Sequence, residues 1–584
     1  MRTLPQILGL VLFVALAPRA LGQQQLSGPV DIAWNRFYDY PDVLRIARTL
    51  TAAYPNLLSI EEIGRSALGR PLIVVTLNNP RTGSALSKPA MWIDGNIHGN
   101  EIQATETVLY SIDYLCRAYG NVAPLTELVD QSVFYFMPSV NPDGRANWFQ
   151  EQNSPHSSRT GMRPTDEDRD GALDEDGPED LDGDGSVGQM WRKDSMGSHR
   201  RNQRDPRILE PVPTEPRPDG SVERGEWSPA GREGIDNDGD GRVNEDGPGG
   251  YDMNRNWPGD WQPEHVEDGA GEFPLCFPET QAIATWILAH PNIAAAQSYH
   301  NAGGMILRGP GVEYRESEYS SGDRATYDAI ANAGAEMLPG YRPMVIYKDL
   351  YPVHGGFVNW VAESLGIISF TNELWTDKRI LQNGNEPSTE EMTRWRDRLL
   401  FGQTTTAWKE LPHPEFGTVL VGGGNKWSSR IPPPFMLEEE AHRNFAFTAF
   451  HAQQMPLLRF QAITVASVGT NLWAITVEIA NDHRIPTRTN RASDKHIGMA
   501  DRLTLQGMGL TVLSSGPMPQ RLATTFDPVR FNPDVLAVEG GIPGLSVRSF
   551  RFIAQGSPLA TATVRYTGEK FKSIESSITL TPKP

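Results

Sequence analysis

Short apolar runs at residues 71–77, 90–93, 133–137, 293–299 and 366–371 alternate with helix-length segments at 101–119 and 277–290. This alternation is the strongest constraint on the chain. Strands that take turns with helices predict an α/β sheet. An opening helix is expected over 40–54, where Val43, Leu44, Ile46 and Leu50 follow helical spacing, then strands at 57–63 and 71–77 around Gly64 and Gly69. A closing helix is expected over 388–409. The rhythm breaks twice. Residues 150–250 are rich in Asp, Gly, Pro and Arg and read as an insertion. After Pro412 come Gly422-Gly423-Gly424 and Pro432-Pro433-Pro434, then a helical segment at 437–454. From 456 onward six short alternating runs with turn signals predict a β-sandwich of immunoglobulin-like texture. The expected organisation is an α/β domain over 30–410 with its insertion, a connecting segment and helix over 411–455, and an all-β domain over 456–584.

Composition narrows the function. In 584 residues, 39% are apolar and 21% charged, enough to bury a core. A balance of 53 basic to 72 acidic residues argues against nucleic-acid binding, which needs a basic face. Two cysteines exclude a disulfide scaffold and a Cys-rich metal protein, and leave open whether Cys116 and Cys276 pair. Most of the net charge of −19 falls in two stretches, 166–184 with eleven acids and one Arg, and 233–246 with six acids and one Arg. The acidity is a local feature and needs a local cause.

Residues 1–22 carry an early Arg, an apolar run from Ile7 to Ala17, and the small Ala20 and Gly22 before Gln23. That is the pattern of a secretory signal peptide, and the run is too short to span a bilayer. A secreted or periplasmic protein with no transmembrane segment in its mature form is expected. Only about ten residues separate the cleavage site from the first folded segment, so no inhibitory pro-segment is expected.

Several polar residues stand at the ends of the apolar runs. His98 and Glu101, in HGNE, can converge on one metal from a tight turn, and catalytic zinc takes three His or Glu ligands with a fourth position open. His300 leaves another strand in SYHN. Glu373 leaves a third in FTNEL, and a carboxylate at the end of a buried strand is costly unless paired or used. Arg192 in MWRK, and Asn254 and Arg255 in MNRNW, offer cations and a donor for a carboxylate or a developing oxyanion. Any one of these alone is an ordinary core histidine or surface charge.

These motifs occur in one order along the chain, and Tyr351 precedes HGGF. In this the sequence resembles the zinc carboxypeptidases of the carboxypeptidase A type, the funnelins, over about residues 30–410 apart from the insertion. The resemblance implies a mixed, mostly parallel sheet with helices on both faces and a site at the strand ends. It implies His98, Glu101 and His300 as zinc ligands and Glu373 as the general base and acid. Arg192 would steady the oxyanion. Asn254 and Arg255 would clamp the terminal carboxylate of a peptide or protein substrate, and Tyr351 would close over it. Alignment from Tyr351 puts the base of the side-chain pocket at Val358, and a second pocket position near Gly311. Neither is an acid, which favours release of a neutral or apolar residue; Asn359 and Arg308 lie near enough to shift this. His354 is expected outside the metal ligands. The same scaffold also fits a zinc hydrolase of peptidoglycan stem peptides or acyl-amino acids. A non-catalytic calcium-dependent binding protein is disfavoured because Glu373 and all three ligands are present.

The acidic insertion repeats one form: Asp166-x-Asp168-x-Asp170-Gly, Asp180-x-Asp182-x-Asp184-Gly and Asp236-x-Asp238-x-Asp240-Gly. Carboxylates at alternate positions before a glycine turn are the first half of an EF-hand-type calcium loop. Bound calcium would also hold a segment too poor in apolar residues to hold itself. Because the loops flank Arg192 and precede Asn254, calcium is expected to steady Arg192 and the cleft rim. No partner for the C-terminal domain follows from its residues.

Overall fold

The computed structural model describes residues 26–152, 159–166, 169–381 and 385–581. The expected signal segment 1–22 and Asp168 lie outside them. Among the described residues twenty-two strands follow in chain order. The first four are β1 (Leu58–Arg65), β2 (Pro71–Leu77), β3 (Ala90–Gly95) and β4 (Val133–Met137). The insertion contributes β5 (Gln189–Gly197), β6 (His199–Arg201), β7 (Leu209–Pro211) and β8 (Gly225–Arg232). Then come β9 (Ile293–Asn301), β10 (Met305–Arg308), β11 (Arg342–Val345), β12 (Ile368–Leu374), β13 (Thr405–His413) and β14 (Gly417–Gly424).

The central sheet has eight strands in the order β1-β2-β4-β3-β9-β12-β10-β11. It is mixed: β4, β3, β9 and β12 run parallel in sequence, as do β10 and β11, and the remaining pairings are antiparallel. Two apolar cores cover its faces. One lies under the helices Tyr40–Ala53, Gln103–Ala118, Ser321–Met337 and Leu437–Gln453, the other under Pro278–Leu288 and Phe357–Leu365. The first helix forms as its sequence demands. Asp39 accepts from the Tyr40 N–H, Pro41 sits in the first turn, and Val43, Ile46, Ala47 and Leu50 make the buried stripe.

The insertion is not a free-standing appendage. Its strands join β13 and β14 in a second sheet, ordered β13-β14-β5-β8-β6-β7, over a small core of Met190, Val419 and Val421. The segment after the central sheet thus completes the insertion's sheet. The helix expected over 388–409 stops at Leu399 and the chain turns into β13. Gly402 takes a left-handed φ of 72°, and Thr404, Thr405 and Thr406 are β-branched, which favours a strand over a further helical turn.

The last eight strands are β15 (Leu458–Gly469), β16 (Leu472–Asn481), β17 (Asp501–Gln506), β18 (Thr511–Pro517), β19 (Val535–Val538), β20 (Ser546–Gln555), β21 (Thr561–Thr567) and β22 (Ile574–Thr579). They make two four-stranded antiparallel sheets, β15-β16-β20-β18 and β19-β17-β21-β22, around one apolar core. Cys116 and Cys276 are both free thiols. Among the described residues no helix is long and apolar enough to cross a membrane.

Candidate active site

Three neighbouring parallel strands, β3, β9 and β12, end on the same edge of the central sheet, the edge where open α/β sheets bind ligands. Each delivers one part of the site. The chain leaves β3 through a turn in which the Asn96 amide donates to the carbonyls of His98 (2.8 Å) and Gly99 (3.1 Å). That turn places His98 and Glu101 side by side. His300 is the penultimate residue of β9, and β12 sets Glu373 in register with it.

His98, Glu101 and His300 are each almost fully buried and converge. His98 Nδ1 lies 2.9 Å from Glu101 Oε1 and 3.2 Å from His300 Nδ1, and His300 Nδ1 lies 3.0 Å from Glu101 Oε2. Two imidazole nitrogens facing each other and one carboxylate make a poor hydrogen-bond set and a good metal set. Zinc holds such ligands tetrahedrally at about 2.0–2.1 Å, which separates them by about 3.4 Å, close to the spacing found. His98 Nε2 meets Asp252 Oδ1 at 3.1 Å, a contact that fixes the tautomer and leaves Nδ1 for the metal. The set therefore fits zinc. Burial works against the Glu101 charge, but His98 and His300 outweigh it and hold this carboxyl well below the usual range.

Glu373 behaves oppositely. Burial, then the Glu101 charge, pushes its carboxyl up to about 7. Two carboxylates lining one cavity with their acidities driven in opposite directions is an arrangement suited to one ligating and the other moving protons.

Around these four lies a cavity of about 210 Å³, lined also by Arg159, Asn254, Arg255, Tyr351, Val358 and Arg430. Asn254 and Arg255 sit in a single turn, Met253–Arg255, capped by Asp252, which accepts from the Asn254 N–H at 2.7 Å. Arg255 Nε pairs with Glu267 at 2.6 Å. The loop that follows Tyr351 is locked against this turn: Trp257 N–H donates to Gly355 O at 2.9 Å. Gly355 has φ 60°, and a Cβ there would fall 2.1 Å from Arg255 O, so only glycine allows the approach. Tyr351 is half exposed at the mouth of the cavity.

The structure corrects one expectation outright. Arg192 lies on β5 of the second sheet, about half exposed, 3.8 Å from Asp194, and it does not line the cavity. Arg159 does line it, beside Arg255 and Arg430, and its guanidinium stands 3.0 Å from Asp252 and 3.4 Å from Glu101. Burial opposes its charge, but Asp252 and Glu101 more than compensate and strengthen it. Arg159 lies in a stretch with no periodicity, so no sequence signal marked it. Asp252, Glu267 and Arg430 were missed as well: Asp252 and Arg430 reach His98 and Glu101 from far along the chain, and Glu267 pairs with Arg255 from an irregular loop.

The side-chain wall of the cavity is formed by Met305, Leu307, Ile346, Val353, Val358 and Thr371. Gly311 does not line it. Asn359 does, and its Oδ1 is buried without a partner. Arg308 turns away to Asp328 (3.2 Å), and His354 bonds Asp260 (2.7 Å) rather than the ligand cluster.

In the insertion, oxygens of Asp236, Asp238 and Asp240 lie within 4.8 Å of one another, as do those of Asp180, Asp182 and Glu233. Glu233, 2% exposed, enters the second loop from β8's end, bonding the N–H groups of Leu181 and Gly188. Asp184 is not in that group; its N–H donates to Asp180 and Asp182. In the first loop Asp166 accepts from the N–H groups of Arg169 and Gly171. Residues 166–178 and 236–248 repeat one pattern and meet in an antiparallel bridge between Asp176 and Asp246. Because Arg192 stands outside the cavity, the idea that these loops steady it there falls with it.

A family model described as zinc carboxypeptidase matches residues 43–395, and a domain of unknown function matches 457–579. Carboxypeptidase D of Rattus norvegicus is 30% identical over 145 residues, 25% of this chain and 10% of that protein. Carboxypeptidase B of Astacus astacus is 34% identical over 116 residues, 20% of this chain and 36% of that protein. The matched region thus spans about a tenth of the first of these relatives and about a third of the second. The crystal structure of carboxypeptidase A from Helicoverpa armigera superposes with a TM-score of 0.43 at 16% identity, covering 72% of this chain and 74% of that one.

Proposed function

Because the chain belongs to the zinc carboxypeptidase family, we propose that it hydrolyses the last peptide bond of peptides or proteins. One observation carries this reading: the ligand triad, a proton-moving Glu373 and the cations Arg159 and Arg255 share one cavity. Zinc on His98, Glu101 and His300 supplies the Lewis acidity. Glu373 takes a proton from the attacking water and gives it to the leaving amine, a task suited to a carboxyl near 7. Arg159 faces the developing oxyanion. Asn254 and Arg255 hold the terminal carboxylate and so set the distance from the chain end to the reacting bond. Tyr351 closes over it. The neutral wall around Val358 suits an apolar or uncharged terminal residue, with Asn359 Oδ1 able to accept one hydrogen bond.

Calcium is the reading for the acidic loops. It is supported by the recurring Asp-x-Asp-x-Asp-Gly form and by the converging oxygens of Asp180, Asp182 and Glu233 and of Asp236, Asp238 and Asp240. Glu175 and Glu245 add to it: burial, then Asp246 beside the first and Asp176 beside the second, pushes each carboxyl up to about 7. The ion's place is to hold the second sheet. The signal-like pattern of residues 1–22 supports a secreted or periplasmic location.

The zinc-loaded chain and its Glu373→Gln variant should be offered peptides ending in Phe, Leu, Lys or Glu, with matched C-terminal amides. Release of the last residue from free acids only, lost in the variant, is expected. A terminal amide offers Arg255 no anion to hold, so the last peptide bond loses its positioning. Equal release from acids and amides would refute the clamp.

A further inference from the structure

Arg430 belongs to none of the motifs above and lies beyond the residues that the family model matches. It nevertheless reaches the metal centre. Its Nη2 donates to Glu101 Oε1 at 2.9 Å, nearer than Arg159 at 3.4 Å. The same Nη2 donates to the backbone carbonyl of Asn301, the residue after His300. Asn301 answers: its Nδ2 donates to Arg430 O at 2.9 Å and to Gln103 Oε1 at 2.7 Å. Arg430 is thus clasped to the neighbour of one proposed zinc ligand and to another ligand itself. It holds a left-handed φ of 68°, a conformation an arginine adopts only where its surroundings impose it.

The surroundings come from the second sheet. After β14, Lys426 Nζ bonds Trp148 O at 2.8 Å and Trp427 packs its ring 4.7 Å from that of Trp148, which ties this segment to the helix Pro142–Gln150 that follows β4. The chain then enters the helix Leu437–Gln453, which packs on Gln103–Ala118, the helix that starts just after Glu101.

We propose that Arg430 is a positioning residue of the zinc centre, delivered by the appended sheet, that orients the Glu101 carboxylate for metal binding. A ligating carboxylate has about four lone-pair sites and the metal takes one or two. Glu101 is 1% exposed, so water does not serve the rest. A charge-assisted bond from a clasped guanidinium does, and fixes which way the other oxygen points. This rests on the zinc reading above.

The test compares the full chain with Arg430→Met and Arg430→Lys, by competition titration of zinc and by the visible spectrum of the cobalt(II)-substituted protein. Contacts of this kind are worth about 10–100-fold in metal affinity. The Met variant is expected to raise the zinc Kd by that factor, alter the cobalt spectrum, and lower kcat more than it raises KM. The Lys variant, which returns a donor and a charge, should recover part of the affinity. An unchanged or lower Kd for the Met variant, with an unchanged cobalt spectrum, would overturn the assignment. If the Met variant does not fold, the Lys variant decides, since it cannot copy the planar fork and should still show a raised Kd. Wild-type chain that binds no zinc would overturn the metal reading and this one with it. Zinc bound equally by all three would remove Arg430 alone.

Discussion

Replacing Arg159 by Met separates the structural account of the site from the one that motif order suggests. Arg159 lines the cavity that holds Glu373 and the ligand triad, whereas Arg192 stands on another sheet. Removing a donor aimed at a developing oxyanion costs about 10²–10³ in kcat, or roughly 2.7–4 kcal/mol. Stability should move far less. The Arg159 side chain is a third exposed, so its pair with Asp252 is screened. Asp252 also keeps His98 Nε2 and the Asn254 N–H as donors when Arg159 is gone. A loss of about 1 kcal/mol in a domain this large lowers Tm by only about 1–2 °C. The assay is kcat and KM on a peptide with an apolar free C-terminus, with zinc content measured on the same samples. Arg192→Met, at a half-exposed side chain, should stay within about twofold, as surface changes do. A hundredfold loss at Arg192 with Arg159→Met near wild type would refute the geometry.

Glu373→Gln should keep zinc and lose about 10²–10⁴ in kcat, the range for general acid–base groups; a variant within tenfold of wild type would take the proton-moving role from it. Glu279 is fully buried with Oε2 unpartnered, and burial, then the nearby Asp143, pushes its carboxyl up to about 7 although the Ala67 N–H bond opposes this. A raised carboxyl pKa means the folded state binds the extra proton. Stability is therefore highest below the unfolded value, falls as pH rises toward 7, and is flat beyond. Glu279→Gln keeps the bond to Ala67 and should raise Tm at pH 8 by more than at pH 5; equal shifts at both would sink this. Calcium chelation with zinc retained should lower Tm and loosen β5 and β8 in hydrogen exchange; no change in either would leave the acidic loops as solvated surface.

The alternation of apolar runs and helices was enough to place an α/β sheet and a C-terminal sandwich, because burial imposes period and length on the sequence directly. His98, Glu101, His300, Glu373, Asn254 and Arg255 were reached through the family resemblance that their motifs carry. Each stands at the end of a strand or in a tight turn beside distinctive neighbours, and parallel strands bring their ends to one edge. What the sequence could not decide was which distant cation enters the site. Arg192 sits in a recognisable motif, Arg159 and Arg430 in irregular segments, and an arginine's long side chain carries no periodic signal of its target. Only the tertiary structure, in which β14 pairs with β5 inside the second sheet and the chain beyond β14 brings Arg430 to Glu101, selects Arg430 and leaves Arg192 facing water. Glu233 and Asp252 follow the same rule. Local pattern sets which elements form, and contacts between elements far apart in the chain set which charges meet.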